Sequence, residues 1–128
     1  MIPAFWRWYY AWAPRPSEVK LLNKGLSFAL AWGKNWCKPI RDRMHSRFPF
    51  LPPEDLDRYE RDCRVAMNVG IGLVSEIAEA NKGVVSESDW RQQFAAAFPW
   101  VSERNLCSLF AQGTYYAWKD GICKHSLG

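Results

Sequence analysis

Between Leu56 and Ala80, apolar or small residues recur three or four positions apart: Leu56, Tyr59, Cys63, Ala66, Gly70, Leu73, Ile77 and Ala80. That spacing gathers them on one face of an α-helix, whereas the alternation of a strand would scatter them over both sides of a sheet. The flanks agree. Pro53 suits a first helical turn, and Glu54, Asp55 and Asp57 suit the positive end of the helix dipole. The pattern stops at "NKG", where Gly83 can take the left-handed conformation that ends helices. One long helix over residues 53–82 is therefore the best-determined element of the chain.

Shorter helices are punctuated in the same way. Ser17 is a suitable N-cap, and Val19, Leu22, Leu26, Ala29, Gly33, Trp36 and Ile40 follow at helical spacing. This predicts a helix over residues 17–38, which Pro39 ends or kinks because it lacks an amide hydrogen. A basic tail, "IRDRMHSR", runs on to Arg47. Ser86 and Asp89 resemble a capping box, with Val85 and Trp90 spaced to staple across it, which predicts a helix over 86–98. Ser102, with Val101 and Leu106, opens a further helix over 102–119 that stops at Gly121. Gly70 and Gly72 each cost a helix about 1 kcal/mol against alanine, so close approach of a neighbouring helix is expected at both. No stretch shows strand alternation. The expected fold is all-α, a single domain over 1–128: a bundle of about four main helices (17–38, 53–82, 86–98, 102–119) preceded by an aromatic, proline-bounded arm over 1–16.

The chain's 128 residues suffice for one domain with a core that needs neither metal nor disulfide. A hydrophobic content of 48% with 23% charged residues places it in the soluble globular class. The opening "MIPAFWRWYYAWAP" lacks the basic segment and unbroken aliphatic run of a targeting peptide, and "LSFALAW" is too short to span a bilayer. A cytoplasmic protein without a membrane span is expected. The cysteines, at 37, 63, 107 and 123, form no Cys-x-x-Cys and read as buried free thiols. Cys123-x-His125 fits no standard zinc spacing. No metal, cofactor or catalytic residue is assigned, because nothing in the sequence brings His45 or His125 to a nucleophile. "NVGIGL" lies inside the long helical pattern, with no strand before it, and is not a dinucleotide loop.

Charge and aromatic rings are unevenly spread. Residues 1–52 carry nine Lys/Arg against two Asp/Glu, a balance of +7 within a chain of net +4. Rings alternate with those cations at Trp6, Arg7, Trp8, Tyr9, Tyr10, Trp12 and Arg15. Such a surface suits phosphates, anionic lipid heads or an acidic protein face. The string Tyr-Tyr-Ala-Trp occurs twice, at 9–12 and 115–118, but its surroundings do not match, so it marks no repeat. Both copies are expected to pack on the bundle, with Tyr115 and Trp118 sharing a helical face.

Residues 90–112, with the string "QFAAAFPWVSERNLCSLFAQG" over 93–113, resemble a repressor-type helix-turn-helix. Ala96 falls at the small position between the helices, Val101 and Ser102 at the turn, and Leu106 and Leu109 at buried sites. The resemblance implies that Glu103, Arg104, Asn105, Ser108 and Gln112 face outward, where Arg and Asn can read guanine and adenine edges. Trp100 stands where that family has its turn glycine, and Pro99 precedes it. "TYYAW" resembles a short string near the helix-turn-helix of insertion-sequence transposases. "LVSEIAEANKG" resembles the first metal-binding helix of MazG-like nucleotide pyrophosphohydrolases, which implies that Glu76 and Glu79 hold magnesium. That family has a second Glu-x-x-Asp on a later helix; here no Glu-x-x-Asp follows, and Glu87 and Asp89 stand one residue too close.

The expected function is that of a non-catalytic helical binding protein whose partner is nucleic acid or a nucleoprotein. Its expected contacts are Trp6, Arg7, Trp8, Arg15, Lys34, Lys38, Arg41, Arg43 and Arg47 in the basic third, and Arg104, Asn105, Ser108 and Gln112 in the helix-turn-helix-like segment. The alternatives are a protein-interaction or inhibitor module that meets an acidic protein surface through exposed Trp and Arg, and a magnesium-dependent pyrophosphohydrolase.

Overall fold

The computed structural model describes residues 16–31, 39–121 and 125–127. In chain order these form α1 (Pro16–Ala29), α2 (Ile40–Arg47), α3 (Pro53–Ala80), β1 (Val84–Ser86), α4 (Glu87–Ala97), α5 (Glu103–Lys119) and β2 (His125–Leu127). The fold is all-α, with one addition that the sequence did not announce: β1 and β2 pair in parallel, Val84 opposite His125 and Ser86 opposite Leu127. Among the described residues no helix is long and apolar enough to cross a membrane.

α3 is the spine. Pro53 sits in its first turn with Glu54 and Asp55, and Gly83 follows its end with φ of 89°. Its predicted stripe lies inside, with Leu56, Tyr59, Cys63, Ala66, Gly70, Leu73 and Ile77 all buried. Only the last member, Ala80, reaches solvent. α1 and α2 cover the N-terminal part of this stripe. A Cβ on Gly25 of α1 would come within 2.8 Å of the Cys63 Sγ, so glycine is what lets α1 sit this close. The Cys63 thiol donates to the Leu22 carbonyl at 3.2 Å. Burial, helped by Asp62, pushes its pKa well above the usual thiol value and keeps it a neutral donor. Cys107, the other thiol among the described residues, is exposed rather than buried.

α4 and α5 close the other side. Trp90, Phe94 and Phe98 are fully buried, stacked in series at centroid distances of 5.0 and 4.8 Å. Both helix starts are capped as expected: the Asp89 and Asn105 amides donate to the Ser86 and Ser102 hydroxyls. Gly70 also meets the expectation, since a Cβ there would lie 3.2 Å from both Leu109 and Phe94. Gly72 does not. It is exposed, with nothing within 4 Å of a built Cβ. The closest crossing instead uses Gly113 of α5, where a Cβ would meet the Val74 Cγ2 at 2.6 Å. Gly113→Ala should therefore destabilise the fold by about 1–3 kcal/mol, because fully buried Val74 cannot give way. Gly72→Ala should stabilise it by about 0.5–1 kcal/mol through helix propensity alone. Urea unfolding of the two variants measures both signs.

The predicted helix over 17–38 stops early, at Ala29. Its last carbonyls are taken by side chains from elsewhere: Arg43 Nη1 donates to the Phe28 carbonyl at 2.7 Å, and Gln112 Nε2 to that of Leu30 at 2.7 Å. Pro39 does not end this helix but stands at the N-cap of the next, and the basic tail is itself a helix, α2, anchored by buried Ile40 and Met44.

Candidate nucleic-acid interface

Lys20, Lys24 and Phe28 stand four residues apart and form one row on α1. α2 runs beside it and contributes Arg43 and Arg47 from adjacent turns. The two rows meet at the Phe28 ring. Lys24 Nζ lies 5.4 Å from its centroid and Arg43 Cζ 4.3 Å, so two cations share one ring. The Arg43 fork also holds the Phe28 carbonyl, which fixes its direction. Arg47 lies 5.5 Å from the centroid of Phe48, and Phe48 meets Phe50 edge-on at 6.1 Å. Phe50 is 73% exposed, an unusual position for a phenyl ring. Among the described residues, none of these four cations is ion-paired to a carboxylate. The acidic residue in the first turn of α1, Glu18, is bound by Arg58 at 2.9 Å. Burial works against the Arg58 charge, but its hydrogen bond to Glu18 and the nearby carboxylates raise its pKa overall. The surface thus gathers four cations with an open ring at its edge, and Asp42, exposed on α2, is the acid next to it in sequence.

Arg41, predicted to belong to this surface, is occupied elsewhere. It forms an ion pair with Asp57, and its backbone amide donates to Glu60 at 3.0 Å, which clasps the start of α2 to α3. Trp6, Arg7, Trp8, Arg15, Lys34 and Lys38 lie outside the described residues, as do Cys37, Cys123 and the first Tyr-Tyr-Ala-Trp copy. In the second copy Tyr116 is half-buried, but the other two rings correct the expectation that they pack on the bundle. Ala117 is buried, while Trp118 and Tyr115 are exposed and touch each other at 6.3 Å.

The helix-turn-helix-like segment is corrected in three places. Ala96 is exposed and its neighbour Ala97 is the buried small residue. Asn105, expected outside, is 2% exposed. Its Nδ2 donates to the Asn23 carbonyl and Oδ1 at 2.9 and 3.0 Å, and its Oδ1 accepts from Ser27 at 3.0 Å. Asn23 in turn donates to the Trp100 carbonyl and accepts from the Ser102 amide, both at 2.8 Å. This closed network joins α1 to the turn between α4 and α5. Gln112, also expected outside, is buried as the cap of α1. Arg104 is exposed and Ser108 half-buried. Trp100 is buried, so the turn is held by an indole where the resembling family uses glycine. A protein that spends Asn105 and Gln112 on its own packing has lost two of the four base-reading side chains the resemblance implied.

Glu76 and Glu79 are exposed on α3. Neither lines the shallow cleft of about 180 Å³ formed by Ile77, Ala80, Asn81, Asp89, Gln92 and Gln93. Among the described residues no group of three or more His, Cys, Asp or Glu is placed to hold a metal ion.

Lys20, Lys24, Phe28, Phe48 and Phe50 were not singled out from the sequence. The first three had a signal, a basic row of helical spacing that ends in a ring. The last two sit in a proline-flanked linker whose direction no periodicity reports. No protein-family model, no curated protein and no solved structure matches this chain.

Proposed function

We propose that this chain is a non-catalytic, cytoplasmic binding protein for nucleic acid, which it grips through the α1–α2 surface. The observation that carries the reading is that Lys24 and Arg43 share the Phe28 ring, with Lys20 in the same row of α1, Arg47 beside Phe48 and the Phe50 ring open, and that none of these four cations is ion-paired to a carboxylate among the described residues. The cations take phosphates, and the open ring offers a face on which a base can stack. Nothing in this arrangement reads base edges, so tight binding with little sequence preference is expected. Fluorescence anisotropy with single-stranded and duplex probes at two salt concentrations tests it. Binding should fall steeply as salt rises, because each neutralised phosphate releases counterions. No binding to any probe at low salt overturns the reading.

The second reading is a protein-interaction module, favoured by the exposure of Trp118 and Tyr115. Its signature is a specific protein complex that survives moderate salt and is lost on Trp118→Ala. The pyrophosphohydrolase reading has its own check. With magnesium, nucleoside triphosphates should remain intact in the presence of this protein. Pyrophosphate release that disappears in Glu79→Ala would restore it.

A further inference from the structure

The outward stripe of α5 consists of Arg104, Cys107, Ala111, Tyr115 and Trp118; only the first is itself charged, and Arg91 of α4 reaches the edge of the stripe, donating to the Cys107 Sγ at 3.1 Å. Trp118 is 65% exposed and Tyr115 46%, and the two large rings stand beside each other. Tryptophan is usually well covered, and exposed rings grouped with arginine are the composition of association surfaces. The stripe also has an internal symmetry. Cys107 and Tyr115 stand equally far from Ala111 on either side, and so do Arg104 and Trp118. A helix read in the opposite direction presents the same positions in exchanged order. A two-fold partner therefore sets Ala111 against Ala111, Cys107 against Tyr115, and Arg104 against Trp118.

The chemistry of those pairs is complementary. Arg104 makes no ion pair among the described residues, since the nearest acid in sequence, Glu103, is bound by Arg91. Its guanidinium would meet the indole face of Trp118 from the second copy, and indole is the strongest aromatic acceptor of a cation. The small side chain at Ala111 allows the two backbones to approach at the crossing. Glu103 and Lys119 fall on the edges of the stripe, which leaves a charged rim around an apolar centre. We propose that this chain forms a symmetric homodimer in which two α5 helices pack antiparallel, crossing at Ala111. This goes beyond the nucleic-acid reading and does not depend on it.

Sedimentation velocity of the full chain, without nucleic acid and over a concentration series, should show a monomer–dimer equilibrium. Arg104→Glu and Trp118→Ala should each weaken dimerisation by about tenfold or more, the scale of a largely desolvated cation–π contact, with helix content by circular dichroism unchanged. A short bis-maleimide should capture a Cys107→Ser/Ala111→Cys variant as a covalent dimer, and should fail to do so with Cys107→Ser alone. A chain that stays monomeric at every concentration overturns the proposal. So does a dimer that both substitutions leave undiminished, or one in which the Ala111→Cys variant is not captured.

Discussion

Trp90→Ala should lower the stability of the fold by about 4 kcal/mol, the largest effect expected of any single truncation here. Three losses add. The indole is fully buried, and removing a ring of that size from a core costs about 3–5 kcal/mol in transfer and cavity terms. Its Nε1 donates to the Gly70 carbonyl at 2.8 Å, a bond between α4 and the middle of α3 worth about 1 kcal/mol. Its ring stacks on Phe94 at 5.0 Å, nearly parallel, and tilts onto Phe110 at 5.5 Å, so two neighbours lose a face. Relaxation around the site recovers part of this sum. Trp90→Phe separates the contributions. It keeps a ring in the stack but not the donor, and should cost about 1–2 kcal/mol. Guanidinium unfolding midpoints, with unchanged slopes, measure both. A native chain of this size holds only about 5–15 kcal/mol in all, so Trp90→Ala should be partly unfolded at elevated temperature.

The same residue shows what the sequence makes legible. Trp90 was placed as one half of a hydrophobic staple over the start of α4, because Val85, Ser86 and Asp89 sit at fixed offsets from it. Both halves of that staple are fully buried. The long α3 stripe was legible for a related reason: its signal repeats over many turns and needs no knowledge of what packs on it. The early end of α1 was not legible. It is set by Arg43 and Gln112, which come from 15 and 82 positions away. The β1–β2 pair escaped for the same reason, since three residues are too few to show alternation and the partner strand lies beyond two helices.

Asn105 and Gln112 are more instructive, because a signal existed and residue type overrode it. Asn105, Leu109 and Gln112 are spaced four and three apart, which puts all three on the buried face of α5. A polar side chain in an amphipathic helix is ordinarily outside, and the helix-turn-helix resemblance reinforced that assignment. Periodicity was the better guide. The complementary stripe, from Arg104 to Trp118, was equally readable as the outward face, and the aromatic end of it was assigned to the interior because rings usually are. At the α1–α2 surface the sequence supplied the charge and two of its arginines. It did not supply the convergence on Phe28, which exists only because α2 turns back alongside α1.

Binding measurements should divide the predicted contacts along these lines. The triple variant Lys20→Ala/Lys24→Ala/Arg47→Ala should weaken nucleic-acid binding by roughly one hundred- to five hundredfold at 0.1 M salt, since counterion release makes each phosphate contact worth about five- to eightfold there. The plot of log affinity against log salt should become shallower by roughly 2 to 3 for the three contacts together. All three side chains are on the surface, and none makes a hydrogen bond or ion pair among the described residues, so unfolding midpoints should be unchanged. Arg43 is left intact because its bond to the Phe28 carbonyl ends α1. Asn105→Ala should do the reverse. It strips partners from half-buried Asn23 and Ser27 and should cost about 1–3 kcal/mol of stability. Its affinity for every probe should match that of the parent chain while it is folded. Loss of sequence preference in Asn105→Ala at unchanged stability would return that residue to a base-reading role. A triple variant that binds as tightly as the parent would remove the α1–α2 surface from consideration and leave the exposed face of α5 as the place to look for a partner.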